Sequence, residues 1–161
     1  MRKILKYKFL VIPILTFQLS FQSSPAMAEI SNVLYFKDDC RLVIEDAHLS
    51  KSLLKSKKSV TAVKANVSSQ CIYSQQKVIF QIWLSKKIGE NWVTVQKFTR
   101  VVTKPAPSPF NIEVKDAWVE CKNSQRTKYL VIARSWTTIA GKEYASKVGR
   151  SKNEVELACG V

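Results

Sequence analysis

The run Lys-Val-Ile-Phe-Gln-Ile-Trp-Leu-Ser-Lys-Lys at positions 77–87 restricts the fold more than any other part of the chain. Its apolar residues Val78, Phe80, Ile82 and Leu84 recur at every second position. A period of two puts all four on one face of an extended strand, whereas a helix would scatter them around its circumference. Ile88-Gly89-Glu90-Asn91 then supplies turn chemistry, and residues 92–103 read as a returning strand, so the two make a hairpin. Val93 and Val95 share a parity that Phe98 does not, which places a bulge near Lys97.

The same period governs most of the remaining chain. Over residues 59–67, Thr61, Val63, Ala65 and Val67 fall on one face and Val60, Ala62, Lys64 and Asn66 on the other. Pro105, Pro107 and Pro109 cannot donate to a ladder, so residues 104–109 read as a stiff, exposed crossover. Residues 110–121 form another strand, with a break expected at Lys115-Asp116, and residues 122–126 a polar turn. Residues 128–138 alternate Tyr129, Val131 and Ala133 against Leu130, Ile132 and Trp136; Ala140-Gly141-Lys142 turns them into residues 143–148, and 153–159 close the chain. At the other end, 33–36 and 41–45 look extended, while 47–55 fit neither the strand nor the helix period. No internal repeat or long linker divides the chain. The reading is all-β: a single antiparallel β-sandwich of about seven or eight strands.

Residues 1–28 stand apart as a secretory signal peptide. Arg2, Lys3, Lys6 and Lys8 precede an apolar stretch beginning at Phe9, and Ala26 and Ala28 supply the small residues that signal peptidase requires, placing cleavage between Ala28 and Glu29. The apolar stretch is about 11–13 residues, short of the roughly 20 a membrane span needs. Cleavage removes four basic and no acidic side chains, taking the net charge from +14 to +10 and leaving 133 residues, 29–161, as one secreted domain.

Cys40, Cys71, Cys121 and Cys159 all lie after the leader. An even count in an exported chain reads as a disulfide framework. The gaps of 31, 50 and 38 residues contain no C-x-x-C, which argues against zinc and against a thiol redox site. Of three possible connectivities, Cys40–Cys71 and Cys121–Cys159 join segments that are neighbours in a β-meander.

Cys71 stands 12 residues before Trp83, and residues 129–133 read Tyr-Leu-Val-Ile-Ala. The first spacing resembles that between the strand-B Cys and the core Trp of immunoglobulin domains. The second run is similar to the Tyr-x-Val-x-Ala of a fibronectin type III strand F. The resemblance covers residues 60–148 and implies an immunoglobulin-like β-sandwich. It departs at Val131, where an immunoglobulin domain carries its second Cys. The leader is similar in style to those of small secreted proteins of Gram-positive bacteria.

Few residues are suited to catalysis. His48 is the only imidazole, and no Gly-x-Ser-x-Gly, H-E-x-x-H, phosphate loop or Gly-rich dinucleotide motif occurs. Asp38, Asp39, Glu45 and Asp46 concentrate acids as a calcium site or a glycosidase pair would, but without EF-hand spacing they read as solvated charge. Neither a catalytic residue nor a metal or cofactor site is assigned. Lys51, Lys55, Lys57 and Lys58 form a basic run, and Lys77, Lys86, Lys87, Lys97, Arg100 and Lys104 flank the central hairpin. After the leader Lys outnumbers Arg 17 to 5, which fits diffuse attraction to polyanions rather than sequence-specific reading of nucleic acid. Trp83, Trp92, Trp118 and Trp136 are candidates for a sugar-stacking platform, with burial against the sheet as the plainer role.

The expected function is therefore a secreted or wall-associated, non-enzymatic binding domain. It would contact an anionic cell-wall polymer, a membrane surface or an extracellular protein, with Lys51, Lys55, Lys57 and Lys58 as the anion contacts. An antibacterial or enzyme-inhibitor effector presenting residues 104–110 is the second expectation, and a hydrolase the third.

Overall fold

The alternation at 77–87 is realised as a strand whose inward residues Val78, Phe80, Ile82 and Leu84 are completely buried. The structure, a computed structural model, describes residues 31–37, 39–50, 60–103 and 110–161. Eleven strands occur among them and no helix. In chain order they are β1 (Val33–Lys37), β2 (Cys40–Ile44), β3 (His48–Leu49), β4 (Ala62–Gln70), β5 (Lys77–Ile88), β6 (Asn91–Thr103), β7 (Asn111–Glu120), β8 (Asn123–Ile139), β9 (Lys142–Ala145), β10 (Gly149–Arg150) and β11 (Val155–Gly160).

All pairings are antiparallel and form two sheets. In the first sheet β7 lies along one edge of β4, and β2 and β3 lie one after the other along its opposite edge, with β1 outside β2. In the second, β6 pairs with β5 and β5 with β8. The far edge of β8 takes β11, β10 and β9 in succession. Inward residues from both sheets belong to a single core: Leu42, Ile44, Val63, Ala65, Val67, Ile112 and Val114 from the first, and Phe80, Ile82, Leu84, Phe98, Tyr129, Val131 and Ala133 from the second. One shared core between two antiparallel sheets is the arrangement a β-sandwich requires.

The strand count exceeds the expected seven or eight because β3 and β10 are two-residue pieces and one edge of β8 is covered by three short strands rather than one. Side chains keep that edge hydrogen-bonded across the breaks. Beyond β9, Ser135 N–H donates to the Ser146 hydroxyl at 2.9 Å while Ser146 N–H donates to Ser135 C=O. Beyond β10, Val131 N–H and Ser151 repeat the exchange, the hydroxyl accepting at 3.2 Å. A serine oxygen thus stands in for the missing carbonyl where the partner strand turns away.

Of residues 122–126, expected as a turn, 123–126 are instead the beginning of β8, paired with β11 from Arg126↔Ala158 to Asn123↔Gly160. Their polarity misleads because this end of the ladder is exposed, so its hydrogen bonds need no apolar neighbours. Lys115 and Asp116 of β7 together face Asn66 of β4, so the expected break is a bulge of one extra residue. In β6 the extra residue is Val95, two positions before the expected Lys97, between the pairs Ser85↔Thr94 and Leu84↔Gln96. The β5–β6 turn is Gly89-Glu90, with φ +57° at Gly89, and the β8–β9 turn is Ala140-Gly141 with φ +47° and +77°. These are the left-handed positions that tight hairpins of matching twist demand.

Cys40 is joined to Cys71 and Cys121 to Cys159, the pairing read from the sequence. Their roles differ. The first clamps the neighbouring strands β2 and β4 within one sheet, while the second ties the end of β7 to β11 and so bridges the two sheets. Gly149 sits where β10 passes under the start of β1: a Cβ there would lie 2.1 Å from Leu34 Cδ1 and 2.8 Å from the Ser31 carbonyl oxygen. Only glycine allows that approach.

Candidate functional site

The outward residues of the second sheet follow from the register. With Val78, Phe80, Ile82 and Leu84 turned inward, Ile79, Gln81 and Trp83 of β5 must face out. Trp83 pairs with Lys97 of β6, Gln81 with Arg134 of β8, and Ile79 with Trp136 of β8. The side chains continue this order. Lys97 Nζ lies 5.5 Å from the centre of the Trp83 ring, and the Arg134 guanidinium lies 6.0 Å from Trp83 and 4.3 Å from Trp136. Arg134 Nε donates to Gln81 Oε1 at 2.9 Å, which fixes the plane of the guanidinium and leaves its terminal nitrogens for another acceptor. Lys97, Trp83, Arg134 and Trp136 therefore make one ladder of cations and rings. Each contact contributes about 0.5–1 kcal/mol at an exposed site and holds the cation in place.

The acids of this sheet, Glu143 and Glu156, lie on its edge strands β9 and β11, and its three long strands are one-sided in charge. Strands β5, β6 and β8 contain no Asp or Glu, yet they carry Lys77, Lys86, Lys87, Lys97, Arg100, Arg126, Lys128 and Arg134. Arg100 pairs with Asp116 at 2.8 Å, Arg126 with Glu156 at 2.8 Å, and Lys87 with Glu90 at 3.9 Å. Lys77, Lys97, Lys128 and Arg134 have no acidic partner among the described residues. The three acidic partners lie on β7, on β11 and in the β5–β6 turn, so the cations of β5, β6 and β8 are only partly compensated and the group keeps a net positive charge. Towards the middle of β8, Leu130 and Ile132 are 3% and 4% exposed, so the strand is covered on both faces there and the ladder occupies the part beyond.

Sequence candidates elsewhere do not converge. Ala28, Glu29, Asp38, Lys51, Lys55, Lys57, Lys58 and residues 104–109 lie outside the described residues. His48 pairs with Lys64 across β3–β4, and its Nδ1 lies 3.2 Å from the Asp46 carbonyl oxygen. The acids are separated by their structural duties. Glu45 accepts from Asn66 Nδ2 at 2.8 Å, whereas Asp46 accepts from both the Asn153 N–H and its side-chain amide, at 2.9 and 2.7 Å. No group of His, Cys, Asp and Glu suited to a metal occurs among the described residues. Trp92 lies beneath Lys87, and Trp118 is exposed on the first sheet. Burial raises the pKa of the Tyr129 phenol, which donates to the Cys159 carbonyl, so this group is a structural lock.

Arg134 and Gln81 were not singled out in the sequence. The available signal was the absence of acids from 91–103 and 123–139, coupled with the parity that turns Gln81, Trp83, Arg134 and Trp136 the same way. The fold and site thus define a disulfide-linked, all-β domain with a cationic–aromatic sheet face. No family model, curated protein or solved structure matches the chain.

Proposed function

We propose that the protein is a secreted, non-enzymatic binding domain that holds an anionic polymer of the cell surface on the outer face of β6, β5 and β8. The observation that carries this reading is the row Lys97–Trp83–Arg134–Trp136 on three strands without a single acidic residue. Cations stacked on rings are oriented before the ligand arrives, which lowers the ordering cost of binding. Two disulfides fit an oxidising location outside the cytoplasm. The signal peptide with cleavage after Ala28, the immunoglobulin-like character of the sandwich and a supporting role for Lys51, Lys55, Lys57 and Lys58 belong to the same reading.

The test compares the protein with a Lys97→Gln/Arg134→Gln variant on purified anionic wall polymer and on anionic vesicles, at low and high salt. Exposed charges are screened over roughly 8–10 Å at ordinary ionic strength, so binding should fall steeply with salt. It should fall further in the double variant, and in one with Gln at positions 51, 55, 57 and 58. Capture by vesicles but not polymer would move the reading to a membrane surface. Binding indifferent to salt and to both sets of substitutions would overturn it.

A further inference from the structure

The first sheet carries a second feature, at the end clamped by the Cys40–Cys71 disulfide. Tyr35 of β1, Arg41 of β2 and Gln70 of β4 are consecutive partners in the register, so their side chains stand in one row on the outer face. Together with Asp39, Cys71 and Ile72 they line an open pocket of about 310 Å³, near the lower limit for a small-molecule site.

Three properties of this pocket point to a ligand class. Tyr35 is 65% exposed and Ile72 58%, so a flat apolar wall and an apolar shoulder meet water without covering the core. Between them stand Asp39, Arg41 and Gln70, planar hydrogen-bonding groups that offer several donors and acceptors in fixed directions. Arg41 Nε donates to Gln70 Oε1 at 2.9 Å, and Gln70 Nε2 to Ser68 Oγ at 3.2 Å, so Arg41 and Gln70 are oriented by the protein itself. The disulfide joins the two strands that carry these groups and holds their spacing. Asp39 and Arg41 also oppose each other in charge, leaving the lining near neutral, unlike the basic face of the other sheet.

A ligand complementary to such a wall has a C–H face to stack on the phenol and hydroxyls around its edge to meet the planar groups. A pyranose ring has that shape. We propose that this pocket binds an uncharged pyranose unit of a glycan, with Tyr35 as the stacking platform and Asp39, Arg41 and Gln70 as the hydroxyl-reading groups. The site lies on the first sheet and shares no residue with the basic ladder, so either can fail without the other.

The protein, labelled with ¹⁵N, is titrated with cellohexaose, chitohexaose and maltohexaose and followed by NMR. Saturable shifts centred on residues 35, 41, 70 and 72 are expected with at least one of the three below roughly 10 mM, a range that captures a millimolar Kd. Tyr35→Ala should weaken that binding about tenfold or more, while Tyr35→Phe keeps the stacking face and most of the affinity. Gln70→Ala should weaken it as well, with the thermal midpoint of each variant measured alongside. No saturable shift with any of the three sugars, shifts centred elsewhere, or equal affinity of folded Tyr35→Ala would overturn the proposal. Shifts at this pocket with glucuronate oligomers but not with the neutral sugars would also overturn it, because the ligand class would be wrong.

Discussion

Gln75 is a polar side chain that is fully buried between the sheets, and replacing it is the sharpest test of how they are joined. Its Oε1 accepts from Ser69 Oγ of β4 at 2.6 Å and from Thr137 Oγ1 of β8 at 3.0 Å. Its Nε2 donates to the Ser69 carbonyl at 3.0 Å and to the Phe110 carbonyl at 2.8 Å. All of its hydrogen-bonding positions are therefore used, and they reach both sheets and the residue that leads into β7. Gln75→Leu keeps the volume but leaves two hydroxyls and the Ser69 carbonyl without this partner. A net loss of about 1 kcal/mol per bond, partly recovered if the hydroxyls bond to each other across their 3.2 Å separation, gives a cost of about 2–4 kcal/mol. Urea unfolding of the oxidised protein, followed by tryptophan fluorescence, measures it; the thermal midpoint should drop by about 8–15 °C. Gln75→Glu adds a pH signature. A carboxylate there would face two carbonyls, so its folded pKa is raised; stability is retained below the unfolded value of about 4.3 and lost as pH rises through the folded one. Adding Ser69→Ala and Thr137→Val to Gln75→Leu should restore part of the loss, since an apolar cluster has no orphaned groups. A cost below about 0.5 kcal/mol for Gln75→Leu would refute the view that this cluster joins the sheets.

Three other outcomes are expected. Ala140→Asn, at the φ +47° position of a two-residue hairpin turn, should stabilise the protein by about 0.5–1 kcal/mol in the same unfolding assay, because Asn tolerates the left-handed region better. Tyr129→Phe should lose the phenol's hydrogen bond to Cys159 but flatten the alkaline limb of the stability curve: the raised folded pKa gives stability that is complete below the unfolded value of about 10 and lost above it. Replacing either cysteine pair by Ala should cost about 3.5–4 kcal/mol on the loop-entropy model, from separations of 31 and 38 residues, measured by urea unfolding without reductant.

The hairpin of β5 and β6 was legible because its alternation, its turn glycine and its length all agree. The position of the break at Lys115-Asp116, though not its form as a bulge, was legible for a related reason: Val114 and Ala117 differ in parity, so the two charges between them mark a change of face. The start of β8 was not legible, since a strand that pairs in solvent need not alternate. β10 was equally hidden, because two residues carry no period and the ladder around it is completed by Ser146 and Ser151 hydroxyls. For the candidate site, Lys97, Trp83 and Trp136 were visible one at a time, and Arg134 was not. What brought Lys97, Trp83, Arg134 and Trp136 together was the pairing of β5 with strands from different parts of the chain, and that partner choice is set by the core rather than by any local pattern.

The placement of β11 bears on when this chain can close during its synthesis. The first half of β8 gains its outer neighbour only when residues 155–160 arrive, and the cross-sheet Cys121–Cys159 bond waits for the same segment. Until then β8 has an unpaired edge and the two sheets lack their covalent tie, a state open to wrong pairing. If the chain is exported as proposed, passing through a pore in extended form, this delay is useful. Of the described strands, the one that seals the body follows all the others in chain order, so folding ahead of export would be held back by that order.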